Sequence, residues 1–125
     1  MLRVVLIDDV CEVREAVADL IRHAGHEVVG EAHDGATGVK ATLAHRPDLA
    51  IIDCRMPGMD GVEATRRIRA SYPSVAIVAF CSTNTPELRD AFLTAGADAF
   101  VDKRDVRGLI AAVHATAERR SMTDD

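Results

Sequence analysis

The sequence predicts an α/β protein built on a doubly wound parallel sheet, and three features carry that prediction. Strand and helix signals alternate five times along 125 residues, with short connections. The strand candidates are mostly continuous apolar runs, as strands covered on both faces must be. The helix candidates each carry an apolar stripe and end at a recognisable stop. At this length the chain forms one domain and buries roughly two-thirds of the surface its unfolded form exposes.

Leu2 to Ile7 is the first strand candidate, ending at Asp8-Asp9. Val10, Val13, Val17, Leu20, Ile21 and Ala24 then recur at helical spacing and Gly25 stops them. Glu27 to Ala32 is a second, shorter strand, and His33-Asp34-Gly35 a turn. Val39 and Leu43 mark a helix before Pro47. Leu49 to Ile52 is the third strand, and Met56-Pro57-Gly58 the loop that follows it. Val62 and Ile68 belong to a helix that ends before Tyr72-Pro73. Val75 to Phe80 is the fourth strand. Pro86 suits the first turn of a helix bearing Leu88, Ala91, Phe92 and Ala95, which Gly96 stops. Ala99 to Val101 is a short fifth strand, and Leu109, Ile110, Val113 and Ala117 face inward from a last helix. Residues 1–120 are expected to form the domain and 121–125, SMTDD, a polar C-terminal tail.

Composition narrows the function classes. The net charge of −5 argues against a duplex-binding footprint. Four aromatics (Phe80, Phe92, Phe100, Tyr72) give no stacking platform for single strands. Cys11, Cys54 and Cys81 are odd in number and lack C-x-x-C spacing, which suggests free thiols in a reducing cytoplasm. No apolar run approaches the ~20 residues of a membrane span, and Leu2 to Asp9 reads as too short and too acidic at its end for a signal peptide. A cytoplasmic protein with no membrane and no direct nucleic-acid partner is the expectation.

The polar residues at the strand ends carry the chemistry. Asp8 and Asp9 follow strand one and Asp53 follows strand three. Cys81, Ser82 and Thr83 close strand four, and Lys103 follows strand five. In a parallel sheet all of these reach the same edge. Three carboxylates there repel one another, by about 4 kcal/mol for a pair ~4 Å apart at an effective dielectric near 20. A raised pKa or a bound cation relieves this. Hard oxygen ligands without a full protein cage favour Mg²⁺. A carboxylate beside such a cation and a lysine is a competent nucleophile towards a phosphoryl group. Taken singly, each residue has a plainer role: Asp8-Asp9 at a helix N-terminus, Lys103 on the surface, Ser82 in a loop.

Leu6-Ile7-Asp8-Asp9, Asp53-x-x-Met56-Pro57-x-Met59-Asp60-Gly61, Gly96-Ala97-Asp98-Ala99-Phe100 and Lys103 together resemble the receiver domain of bacterial two-component response regulators, over residues 2 to about 118. The resemblance implies a flavodoxin-like (βα)5 fold with strand order 2-1-3-4-5. It implies that Asp53 accepts a phosphoryl group from a histidine on a sensor kinase or phosphotransfer protein. Asp9, Asp53 and the backbone carbonyl of Arg55 would ligate Mg²⁺, with Asp8 acting through water. Lys103 would pair with the phosphoryl oxygens, and Phe100 would be the aromatic switch. No turnover of a separate substrate is implied, only self-phosphorylation and autodephosphorylation.

The sequence departs from the family at Cys81, where threonine or serine is usual and where a thiol is the weaker donor. Ser82 substitutes only if the strand end slips by a residue, which reverses its facing. Arg104 stands where many receivers carry proline, and Arg55 occupies a position that tunes dephosphorylation in the family. Two rival readings remain: a phosphorylation-independent pseudo-receiver, suggested by Cys81, and an aspartyl-phosphate hydrolase of the haloacid-dehalogenase kind. The hydrolase wants a D-x-D that Asp8-Asp9 does not supply.

Lesser signals read plainly. Gly30-x4-Gly35-Ala36-Thr37 has P-loop glycine spacing without the lysine and after the wrong strand. The five histidines are dispersed. Cys11 and Cys54 read as small apolar fillers, though Cys54 adjoins the acceptor and is a residue to test for reactivity, and Arg66-Arg67-Arg69 reads as a solvated helix face. Val29-Gly30-Glu31-Ala32 looks like receivers that precede a helix-turn-helix output domain. The downstream partner is therefore either a separate protein or such a domain, and homodimerisation on activation stays open.

Overall fold

The five apolar runs pair side by side into one sheet in the order β2-β1-β3-β4-β5, every neighbouring pair parallel. The computed structural model describes residues 1–123. Its elements are β1 (Arg3–Ile7), α1 (Cys11–His23), β2 (Glu27–Ala32), α2 (Gly35–His45), β3 (Leu49–Ile52), α3 (Gly61–Ser71), β4 (Ala76–Cys81), α4 (Pro86–Ala95), β5 (Ala99–Asp102) and α5 (Val106–Thr123). This is the doubly wound, flavodoxin-like order expected of the sequence.

Side chains alternate across the sheet and feed two cores. Val4, Leu6, Ile51, Val78 and Phe80 face α1 and α5, where Val17, Ile21, Leu109 and Val113 meet them. Val5, Ile7, Ile52, Ile77 and Ala79 face the other way, against Ile68 of α3 and Phe92 of α4. β3 and β4 are buried along their whole length, which is why they read as unbroken apolar runs.

Local chemistry sets the helix ends. Asp34 caps α2 by accepting from Thr37 N–H at 2.8 Å, Asp60 caps α3 from Glu63 N–H at 2.9 Å, and Thr85 caps α4 from Leu88 N–H at 3.2 Å. Pro86 sits in the first turn of α4, and Gly96 ends that helix at φ +118°, a left-handed conformation that costs glycine little.

Four boundaries differ from expectation. β1 starts at Arg3 instead of Leu2, β4 spans Ala76–Cys81, and β5 extends to Asp102. α5 runs to Thr123, so Ser121–Thr123 continue the helix instead of forming a tail. Neither glycine nor proline interrupts that stretch, and a solvated helix end is as polar as a tail. Asp124 and Asp125 lie outside the described residues. The edge strand β2 also slips by one residue against β1, with Val4 opposite Val28 but Val5 opposite Gly30.

Candidate functional site

Parallel pairing brings the carboxyl ends of β1, β3, β4 and β5 to one edge, and the candidate residues stand there. The carboxylates of Asp8, Asp9 and Asp53 each place an oxygen within 4.8 Å of the others. Asp8 and Asp53 are buried, at 6% and 5% exposure, whereas Asp9 is exposed. Lys103 reaches across from the end of β5, its Nζ 2.8 Å from Asp8 Oδ2 and 3.1 Å from Asp53 Oδ1. Backbone bonds fix these positions: Asp53 N–H donates to Ile7 O at 2.8 Å, and Lys103 N–H to Cys81 O at 2.8 Å.

Both oxygens of Asp8 and one of Asp53 are held. Asp53 Oδ1 accepts from Cys54 N–H at 2.8 Å as well as from Lys103, and Asp8 Oδ1 accepts from Val10 N–H at 2.9 Å. Gly61, at the start of α3, lies so close that a Cβ there would collide with the Asp53 carbonyl and the Phe92 ring. Its own N–H donates to Cys54 O at 3.0 Å. Glycine is needed at that position for the close approach, and the loop carrying Asp53 is thereby pinned at both ends.

Electrostatics follow from crowding. Burial, and then the Asp8 charge, push the Asp53 carboxyl up to about 6 despite the attraction of Lys103. Burial works against the Lys103 charge, but the hydrogen bonds of Asp8 and Asp53 outweigh it and raise its pKa. One cation facing three carboxylates leaves a negative surplus, and the donors are all hard oxygens. The residues present fit Mg²⁺ in charge, ligand type and spacing.

The remaining candidates are placed less uniformly. Arg55 follows Cys54 on the loop with its side chain exposed. Cys81 is the last residue of β4, fully buried and paired with Asp102 of β5. Ser82 lies outside the strand and is exposed. Phe100 is turned into the core at 8% exposure, its ring centroid 5.8 Å from that of Phe92 and the Arg89 guanidinium 5.4 Å above it.

Arg14 and the contact between Cys54 and Cys81 escaped the sequence reading. Arg14, in the second turn of α1, donates from Nη1 to the Asp8 carbonyl at 2.7 Å and places Nε 3.4 Å from Glu31 Oε1. Nothing in its helical periodicity distinguishes it. Cys54 is not an isolated filler: its sulfur interacts with the Cys81 thiol. The Cys81 hydrogen bond lowers the Cys54 thiol to about 7 against the effect of burial, and the same contact, with burial, raises the Cys81 thiol. The nearest signal was strand offset: the last pair of β3 and β4 is Ile52 with Ala79, and each cysteine lies two residues beyond it.

Residues 4–114 match the family described as response regulator receiver domain. The chain is 35% identical over 118 residues to the transcriptional regulatory protein PdtaR of Mycobacterium tuberculosis, covering 94% of this chain and 57% of that one. It is 44% identical over 107 residues to the two-component response regulator ORR41 of Oryza sativa subsp. japonica, covering 82% and 84% of the two. A crystal structure of a two-component response regulator of the LuxR family from Aurantimonas sp. SI85-9A1 matches with a TM-score of 0.89 at 33% identity, over 94% of this chain and 86% of that one.

Proposed function

The chain belongs to the response regulator receiver domain family, and from that premise we propose that it is a phosphorylation switch whose acceptor is Asp53. The observation that supports this most directly is the convergence of Asp8, Asp9, Asp53 and Lys103 on one sheet edge. The donor would be a phosphohistidine on a sensor kinase or phosphotransfer protein. A carboxylate oxygen of Asp53 attacks phosphorus, the P–N bond breaks, and the electron pair and a proton go to the departing imidazole.

The chain's own groups do most of the positioning. The Cys54 N–H and Lys103 hold Asp53 Oδ1, so the carboxylate is aimed before the donor arrives. Lys103 follows the charge from Asp53 to the phosphoryl oxygens as they approach. Asp8, Asp9 and Asp53, with the Arg55 carbonyl, are the residues that would hold Mg²⁺, with Asp8 able to act through water. Bound there, the cation would offset charge on the transferring oxygens and favour ionised Asp53. In this reading the switch runs from β4 to Phe100, and the face formed by α4, β5 and α5 meets the downstream protein or output domain. Leu93, on α4, is 44% exposed. Cys81 weakens the link between phosphate and Phe100, because a thiol replaces the hydroxyl usual there.

No helix among the described residues is long and apolar enough to cross a membrane. The chain spans 57% of the length of PdtaR, so the activity of a longer regulator is not assigned to it.

Incubation with acetyl phosphate and Mg²⁺, read by intact mass, tests the proposal. A labile adduct of one phosphoryl group, lost in Asp53→Asn, is expected. No adduct in the wild type, or an adduct that persists in Asp53→Asn, overturns it. Steady turnover of simple phosphomonoesters would place the chain among hydrolases instead.

A further inference from the structure

Cys54 and Cys81 are buried to 3% and 0% exposure in the same core, on the face that meets α3 and α4. The register of β3 and β4 places Ile51 beside Val78 and Ile52 beside Ala79. The pairing ends there, and Cys54 and Cys81, each two residues further on, share one core with Ile52 and Ala79, where their side chains interact. Neighbouring strands lie about 4.8 Å apart, within the Cα separation of roughly 4.4–6.8 Å that a disulfide spans. Cys54 lies two residues past the end of β3 and Cys81 is the last residue of β4, so two buried thiols share one core where the two strands end. Cys11, the third cysteine, is exposed on α1 and outside this core.

We infer that Cys54 and Cys81 form a redox-active dithiol, which a peroxide closes into an intramolecular disulfide bridging the ends of β3 and β4 beneath the acceptor carboxylate. Both lie where their strands leave the core, each followed by an exposed residue, Arg55 and Ser82. Local opening of these ends admits a molecule as small as hydrogen peroxide. Cys54, the less enclosed of the two, reacts first. Its sulfur takes one oxygen as the O–O bond breaks, giving a sulfenic acid and water. The Cys81 sulfur then displaces the sulfenic oxygen, which leaves with two protons as a second water. The S–S bond forms, and two electrons have passed from the thiols to one peroxide. Thiol–disulfide exchange with a dithiol reopens the bridge. Such a bond suits a reversible modification better than a permanent staple.

The bridge also bears on Asp53, a link that rests on the phosphorylation reading above. The Cys54 N–H holds Asp53 Oδ1 and the Cys54 carbonyl accepts from Gly61 N–H, so drawing the Cys54 side chain towards β4 re-aims the carboxylate. Acceptance of a phosphoryl group by the oxidised chain slows by about tenfold.

The test treats the native full chain with hydrogen peroxide, without a phosphoryl donor. It is then quenched, denatured and alkylated with N-ethylmaleimide. The expected result is a peptide pair ending at Arg55 and Arg89, joined through Cys54 and Cys81. It should form at a rate independent of protein concentration, be cleaved by dithiothreitol and be absent in Cys54→Ser. Cys11→Ser should leave it intact, which guards against reshuffling through Cys11. Recovery of both alkylated thiols at peroxide doses that oxidise Cys11 overturns the inference, as does a Cys54 sulfinic acid with Cys81 still alkylated. Labelling of the reduced and oxidised chains by acetyl phosphate is measured separately. A disulfide with unchanged labelling overturns the link to Asp53. Failure of the reduced chain to label counts against the phosphorylation reading and leaves the dithiol result standing.

Discussion

Replacing Asp53 with asparagine should stabilise the protein, even though it removes a residue at the centre of the site. The carboxyl stands at about 6, against an ordinary 3.8. At about 1.4 kcal/mol for each pH unit, ionised Asp53 costs the fold about 3 kcal/mol, net of the attraction of Lys103. Water at the mouth of the site screens part of this, which leaves roughly 1–2 kcal/mol. The sign follows from which state holds the proton more tightly. Above about pH 6 the carboxyl is ionised in both folded and unfolded chains, and the folded state bears the whole cost. As pH falls towards about 4 both become protonated and the cost disappears. Asparagine is neutral throughout and still offers an oxygen to Cys54 N–H. Asp53→Asn should therefore exceed the wild type by about 1–2 kcal/mol at pH 7.5 in EDTA, or roughly 3–8 °C in Tm. The two should converge below about pH 4. Urea unfolding followed by circular dichroism across that range reads it. A variant no more stable at pH 7.5, or a gap that persists unchanged to pH 3.5, would refute the reasoning. Mg²⁺ should narrow the gap by stabilising the wild type, through mass action on the state that binds it.

Lys103→Met leaves Asp8 and Asp53 facing each other without a cation, and should destabilise the fold by roughly 1–3 kcal/mol at pH 7.5. The loss should shrink as the carboxylates protonate in acid, which the same urea series would show. Arg69→Ala should cost about 2–4 kcal/mol in urea unfolding, because its guanidinium donates to the Gly96, Pro73 and Val75 carbonyls and pairs with Asp98 at 3.0 Å. Arg66→Ala or Arg67→Ala, by contrast, should fall within about 0.5 kcal/mol. Cys81→Thr should strengthen phosphate-dependent partner binding while labelling of Asp53 changes little; equal partner affinity in the two proteins would count against the role given to Cys81.

How much of this the chain discloses unaided depends on whether a residue's role is local. β3 was legible because a strand covered on both faces has no polar position to obscure it. Asp8, Asp9, Asp53 and Lys103 could be gathered from the sequence because parallel topology alone sends all four to one edge. Arg69 could not. Arg66 and Arg67 both pair with Glu63 on an exposed face, as a charge run suggests. Arg69, in the same run, turns inward to the loop around Gly96, and only the packing of α3 against α4 brings that loop near. The Cys54–Cys81 contact was hidden for a similar reason: two residues 27 apart become neighbours through strand pairing, which composition does not encode.

The slip in β2 bears on how copies of this fold can associate. β2 is an outer strand of the sheet, and an outer strand invites another chain to add itself alongside. The extra residue at Val29 breaks the regular rise of donors and acceptors along it, and Gly30 supplies no side chain for an incoming strand to pack on. Glu27 and Glu31 add exposed charge to the same strand. At the far side β5 offers only four residues. Both margins are thus poor templates, so oligomers of this chain should form through helix faces, with the sheet remaining five strands wide.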